Sequence, residues 1–264
     1  MARSGNTGKK KWQASLWDSG SFKASETNIP VEQPVELAVN GKSLAVFHCT
    51  PKNLNELATG FMLGRGLINS VTQITDMEVD ARGGKVSVIL RQTLKNMKGH
   101  GNKTVIYSGC GQEPVNLPST GNPETLVAEA AFSSARLREG LTKTLSRGKI
   151  YREARGVHSA AICGRMGRIL VVREDIGRHN AMDKVLGWVA ARCLDPAVVF
   201  VAVSGRVSAE AVEKMAVFRI PVLVSKGLPT TLALERAEAL GITIAGGVGT
   251  RKLRVYVHGE RIKP

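Results

Sequence analysis

The chain has 264 residues, enough for one large unit or two smaller ones, each with a sizeable core. With 43% hydrophobic residues, 22% charged residues and 28 glycines, it has the composition of a soluble globular protein, which excludes a disordered or fibrous chain. Thirty-seven Lys and Arg against 22 Asp and Glu give a net charge of +15, which favours anionic partners such as nucleic acid, nucleotides or acidic proteins.

Residues 1–30 are polar and basic, with Lys9, Lys10 and Lys11 in a row, and read as a flexible basic arm. They hold no apolar core of the kind a signal peptide needs, and the longest strand-like run, "AVVFVAV" (197–203), is too short to span a bilayer. A cytoplasmic location without membrane contact is therefore expected. Next, "PVELAVNGKSLAVFHCT" alternates apolar and polar positions on both sides of Asn40-Gly41, a favoured type I′ turn, and predicts a hairpin. "PKNLNELATGFMLGRGLI" predicts a core-packing helix with Leu54, Leu57, Ala58, Phe61 and Met62 on one face, Asn53 as N-cap and Glu56 three residues on. A second hairpin is expected around Gly83-Gly84, followed by an exposed polar connection, "QTLKNMKGHGNK". Residues 31–122 thus form an N-terminal α+β region.

From Pro123 to about Ser146 the pattern is helical, with Arg and Lys towards its end, where cations suit the helix dipole. From residue 156 onward, apolar strand-like runs alternate with helical ones, so residues 123–264 read as a layered α/β domain with a mostly parallel sheet. "AVVFVAV" and "PVLVS" are apolar throughout, as central strands covered on both faces would be, whereas "KLRVYVH" alternates and suits an edge.

Ligands of open α/β sheets bind beyond the carboxyl ends of strands, so the polar clusters after each apolar run are the candidate sites. "REDIGRHNAMDK" (173–184) is so dense in polar groups that packing alone explains it poorly, although Asn180 and Asp183 could serve only to cap or line the first helical turn. "SGRVSAE" (204–210) opens a helix, and its backbone N–H groups, Ser204, Arg206 and Ser208 could hold a phosphate; Ser208 is equally a plain N-cap. "GGVGTRK" (246–252) is either an anion-approaching glycine turn or simply a tight hairpin. "RGVHSAAIC" (155–163) invites comparison with zinc deaminases, but Ala160 stands at the glutamate position of H-x-E and no C-x-x-C pair exists. His158 is left as a ligand contact or a core histidine, and no metal site is expected.

Four scattered cysteines, Cys49, Cys110, Cys163 and Cys193, are too few for a disulfide scaffold. Cys49, Cys163 and Cys193 occupy ordinary small-hydrophobe positions, whereas Cys110, in "IYSGCGQEP", sits between two glycines in the uncrowded setting of a reactive thiol.

"REDIGRHNAMDKVLG", "GVHSAAIC", "VSGRVSAEAVEKMAVFRIPVLVSKGLPTTLALERAEALGITI" and "CTPKNLNELATGFMLGRGLI" together resemble the FdhD family of formate dehydrogenase accessory sulfurtransferases, over roughly residues 30–258. The resemblance implies a cytidine deaminase-like layered α/β core. It also implies a protein that takes persulfide sulfur from a cysteine desulfurase and passes it to the molybdenum of the bis(molybdopterin guanine dinucleotide) cofactor, for formate dehydrogenase. In this reading Cys110 carries the persulfide, although Tyr107 and Glu113 stand where the family's second cysteine would lie. The cofactor, a bound substrate with no permanent counterpart, would contact Gly247, Val248, Gly249, Thr250, Arg251 and Lys252, with Arg178, His179 and Arg206 as further contacts. A homodimer is a further expectation. The competing readings are a guanine-dinucleotide cofactor-binding chaperone without sulfur chemistry and, from charge alone, a nucleic-acid binder, which 5% aromatic residues supply with few stacking platforms.

Overall fold

A computed structural model describes residues 8–92, 104–106, 125–126, 130–192, 194–248 and 252–264. Where a flexible arm is expected, β1 (Lys9–Asp18) and β2 (Ser21–Pro30) form an antiparallel ribbon. Its turn is made by Ser19 and Gly20, both at positive φ (49° and 95°) as a tight hairpin requires. Runs of lysine masked the alternation that this Ser-Gly turn joins. The ribbon is tied at its root by the Lys9–Glu153 ion pair and by Val31 N–H donating to the Gly8 carbonyl at 2.9 Å.

The next strands are β3 (Gln33–Val39) and β4 (Lys42–Cys49), the expected hairpin, with Asn40 and Gly41 at φ 48° and 78°. Helix α1 spans Leu54–Gly64. Asn53 does precede it, but in a left-handed conformation with no side-chain cap, and Glu56 pairs with Arg173 instead of closing a capping box. The second expected hairpin is β5 (Ile74–Asp80) and β6 (Lys85–Leu90), with the Asp80 carboxylate accepting from the N–H groups of Arg82 and Gly83 in the turn. With β7 (Thr104–Ile106) these strands make a five-stranded sheet, order β5-β6-β3-β4-β7. One face buries Val35, Leu37, Phe47, Val86 and Val88 against Leu57, Phe61 and Met62 of α1.

The helix expected from Pro123 begins only at Ser134. Ahead of it Leu126 N–H donates to the Leu240 carbonyl, and β8 (Phe132–Ser133) pairs with the last strand of the chain. There follow α2 (Ser134–Arg147), α3 (Lys149–Ala154), β9 (His158–Gly164), β10 (Ile169–Asp175), α4 (Arg178–Ala190), β11 (Val199–Val203), α5 (Ala209–Val217), β12 (Val222–Ser225), α6 (Thr231–Leu240), β13 (Thr243–Val248), β14 (Lys252–Val257) and β15 (Ile262–Lys263). The large sheet runs β10-β9-β11-β12-β13-β14. It is mixed rather than mostly parallel: of its neighbouring pairs only β11–β12 and β12–β13 are parallel. The pairs β9–β10 and β13–β14 are joined by connections too short for a parallel crossover, so they must run antiparallel.

Strand periodicity explains how both faces of this sheet are covered. Along β11, Val199, Val201 and Val203 point to a core shared with α4, α5 and α6, while Phe200 and Ala202 point to a core shared with Leu137 and Leu141 of α2. The two regions of the chain are locked together by α1 against α4. A Cβ on Gly60 would stand 1.9 Å from the Asp183 carbonyl oxygen and one on Gly187 2.0 Å from that of Glu56, so only glycine permits this approach. Among the described residues, no helix is long and apolar enough to cross a membrane.

Candidate functional site

Parallel β11, β12 and β13 bring three loops to one edge of the sheet: Ser204–Val207, Lys226–Gly227 and the start of the β13–β14 hairpin. Antiparallel β9 begins at that same edge, and so delivers His158 there. The result is a cleft of about 380 Å³ lined by Tyr151, Val157, His158, Ser204, Lys226 and Gly227, within the range of ligand-binding pockets. A narrow second pocket of about 10 Å³, room for one water, adjoins it and is lined by His158, Arg178, His179, Arg206 and Val207. His158 and Ser159 border both.

Ser204 is the pivot of the floor. Its Oγ accepts from Ser159 N–H at 3.0 Å and lies 3.4 Å from His158 Nδ1. Burial lowers the His158 pKa, with the Arg178 guanidinium acting in the same direction, so the imidazole is neutral at pH 7. His158 is thus a cleft-lining residue.

The dense 173–184 segment divides sharply between structure and site. Glu174 accepts from the N–H groups of Ile150 and Tyr151 at 2.8 Å each, capping the first turn of α3 and holding Tyr151 at the cleft. Asp175 accepts from Lys184 Nζ (2.6 Å), Thr50 N–H, Gly177 N–H and Asn180 Nδ2. Asp183 is bound to Lys214 Nζ at 2.8 Å, and Arg173 pairs with Glu56. Most of the density that looked functional is therefore a buried frame, because each charge needs a partner once water is removed. Arg178 and His179, at the first turn of α4, are the two polar residues of the segment that reach the narrow pocket, with Met182 beside them.

His179 Nε2 stands 2.8 Å from Ser208 Oγ, and its Nδ1 is 3.5 Å from Glu210. Burial pushes its pKa down to about 4, outweighing Glu210. Burial also acts to raise the Glu210 pKa, but Lys214, His179 and Arg65 together hold it well below the usual range. Ser208 is at once the N-cap of α5, accepting from Ala211 N–H. The histidine placed beside a helix start is thus His179, with Ala181 two residues on and Ser208 and Ala211 at C-x-x-C spacing; this donor set does not fit the zinc of a deaminase. Among the described residues no group of three His, Cys, Asp or Glu could hold a metal ion.

Arg206 is exposed at the rim. Gly247 and Val248 lie at the end of β13, opposite Leu253 and Lys252, on the same edge of the sheet but not in the lining of either pocket. Gly249, Thr250 and Arg251 lie outside the described residues, as do Cys110, Tyr107, Glu113 and Cys193. Cys49 and Cys163 are fully buried, and burial raises both thiols to about 12, which leaves them inert. Sequence reasoning missed Tyr151 and Lys226. Lys226 had a signal, since it follows the apolar run 222–225 at a strand's carboxyl end; Tyr151 had none.

Fold and cleft define a mixed α/β protein with a cleft at the carboxyl ends of its parallel strands and basic residues at the rim. Residues 30–263 match the FdhD/NarQ family, and the chain belongs to it. It is 33% identical over 261 residues to the sulfur carrier protein FdhD of Geobacillus kaustophilus, covering 96% of this chain and 97% of that one. To the protein of the same name from Shouchella clausii it is 30% identical over 269 residues, covering 100% and 99%. The crystal structure of a protein described as a formate dehydrogenase accessory protein, from Desulfotalea psychrophila, has the same fold, with a TM-score of 0.81, 23% identity and coverage of 97% and 100%.

Proposed function

We propose that this protein is a sulfur carrier for formate dehydrogenase maturation, acting as a sulfurtransferase through a persulfide on Cys110. A cysteine desulfurase donates the terminal sulfur of its own persulfide to the Cys110 thiolate and leaves as a thiolate. The acceptor is the molybdenum of the bis(molybdopterin guanine dinucleotide) cofactor, held as a substrate. Family membership supports the carrier role. The observation that carries the cofactor part is the strand-end cleft, whose 380 Å³ suits a nucleobase and whose margin offers Lys226 and Arg206 to phosphate. Tyr151 offers an aromatic face for the base, and the segment from Gly247 to Lys252 is our candidate for the dinucleotide's remaining contacts. The layered mixed sheet suits a deaminase-like core, and the cytoplasm is our proposed site of action.

The test is mass spectrometry after incubation with a cysteine desulfurase and cysteine, which should find added sulfur on Cys110. A Cys110→Ala variant should fail to support formate dehydrogenase sulfuration. If that variant remains competent, or guanine nucleotide binds while no persulfide is ever trapped, the protein is a cofactor-binding chaperone without sulfur chemistry.

A further inference from the structure

Tyr151, in the wall of the cleft, carries the Arg155 guanidinium over its ring, 5.0 Å from the ring centroid and within cation–π reach. Among the described residues no carboxylate pairs with Arg155, so the ring is what its charge rests on. The backbone that brings it there is strained. Asn53 (φ 54°, ψ 42°) and His258 (φ 51°, ψ 52°) occupy the ordinary left-handed region, but Arg155 combines φ 57° with ψ −162°, a conformation that almost only glycine adopts.

The surroundings impose this conformation. Arg155 N–H donates to the Tyr151 carbonyl at 3.1 Å and closes α3. Gly156 follows at φ 62°, where a Cβ would stand 3.2 Å from Cγ of Pro30 in β2, and His158 then opens β9. None of this needs an arginine side chain. The closing bond is made by the backbone, and glycine at position 155 would keep it without the strain. An arginine in a glycine conformation, with its guanidinium laid on a cleft-lining ring, has a task for its side chain.

We propose that Arg155 is a positioning residue for the nucleotide base, holding the Tyr151 ring so that its other face stacks on the base. The inference rests on the nucleotide reading of the cleft. Tyr151 is then fixed at two points, its N–H by Glu174 Oε1 at 2.8 Å and its ring by Arg155. With the guanidinium on one face, the ring cannot turn edge-on to the cleft without giving up the contact, so less freedom is lost when a base arrives. Arg155 acts on the base through Tyr151 and not on phosphate, which distinguishes it from Lys226 and Arg206.

Calorimetry on the full chain with guanosine diphosphate and with guanosine tests this. Arg155→Gly should weaken both by the same factor, about 3- to 10-fold, while its urea midpoint stays level or rises because the strain is relieved. Arg155→Lys keeps a cation for the ring and should restore most of the affinity. In a Tyr151→Ala background, which lacks the stacking surface, Arg155→Gly should weaken binding no further. The proposal is overturned by an Arg155→Gly protein that binds as wild type does, that loses affinity for the diphosphate alone, that falls in stability, or that loses as much again in the Tyr151→Ala background. Each of these results leaves the nucleotide reading standing. A wild-type chain that binds neither guanosine nor guanosine diphosphate overturns both.

Discussion

Lys184 on α4 donates from Nζ to Asp175 Oδ2 at 2.6 Å, and both side chains are completely buried. The same ammonium donates to the Thr50 carbonyl at 2.9 Å, and the Asp175 carboxylate accepts from Thr50 N–H at 3.1 Å. The pair therefore joins the end of β10, where Asp175 lies opposite His158 of β9, and α4, which carries Arg178, to the end of β4 in the N-terminal sheet. Lys184→Met leaves Asp175 charged and uncompensated. It should lower stability by about 3–5 kcal/mol in urea unfolding, whereas mutation of an exposed lysine such as Lys252 should change it by less than about 0.5 kcal/mol.

The contact between α1 and α4 makes a second prediction. Gly60→Ala or Gly187→Ala places a methyl group against backbone that cannot yield without separating the helices. Each should cost about 1–3 kcal/mol, read as a lowered thermal midpoint. Gly20→Ala meets no heavy atom within 4 Å, so its smaller loss should reflect only the strain of φ 95°.

His179 makes the stability of the protein sensitive to acid. Its folded pKa, about 4, lies below the ordinary 6.5, so below pH 6.5 the unfolded chain binds the proton first. The contribution of neutral His179 is present above pH 6.5 and is lost as pH falls towards 4. Asp183 acts in the opposite sense, because burial raises its carboxyl to about 6 against the pull of Lys214, and protonation between pH 6 and 3.8 relieves the folded state. The two offset each other in the wild type. Comparison with His179→Gln isolates the histidine: relative to that variant, wild type should lose on the order of 3 kcal/mol between pH 7 and pH 4. A difference that does not vary with pH would rule this out. The groups facing His179 are Ser208, Glu210, Lys214, Arg178 and Arg65, and the substitution leaves all of them in place.

Cleft residues should separate from frame residues by calorimetry with a guanine nucleotide. Lys226→Ala and Arg206→Ala should each weaken binding by about 10- to 100-fold, the worth of one charge-assisted hydrogen bond, and should reduce its salt dependence. Their unfolding midpoints should barely move, since both residues are exposed.

Cys49 and Cys163 should resist alkylation by iodoacetamide in the folded protein, because both are buried and pushed to about 12. Peptide mapping should find both modified only after denaturation.

Local pattern made much of the fold legible. Alternation around Asn40-Gly41 and the run Val199–Val203 are signals that neighbouring residues carry in themselves, and the structure has them as expected. The ribbon was hidden because charge at Lys9–Lys11 dominates a segment whose turn, Ser19-Gly20, is a weaker signal than Asn-Gly. The start of α2 was misplaced because strand pairing between Phe132 and Ile262 overrides the helical preference of the residues before Ser134. Arg178, His179 and Arg206 were legible as residues at a strand-to-helix junction and a strand-end loop. Tyr151 was not, because it arrives from a separate helix whose first turn is capped by Glu174.

By itself the sequence determined the hairpin at Asn40-Gly41, the alternation of strands and helices after residue 156, which strands are covered on both faces, and to which family the chain belongs, since these follow from periodicity and motif. Only the tertiary structure decided which charges in 173–184 serve the frame and which face the cleft. That division depends on burial: Asp175, Asp183 and Lys184 lose water and must find partners across the chain, at Thr50 and Lys214, over separations no local pattern encodes. Arg178 and His179, one turn away in the same helix, instead point to the pocket that the ends of β9 and β11 leave open.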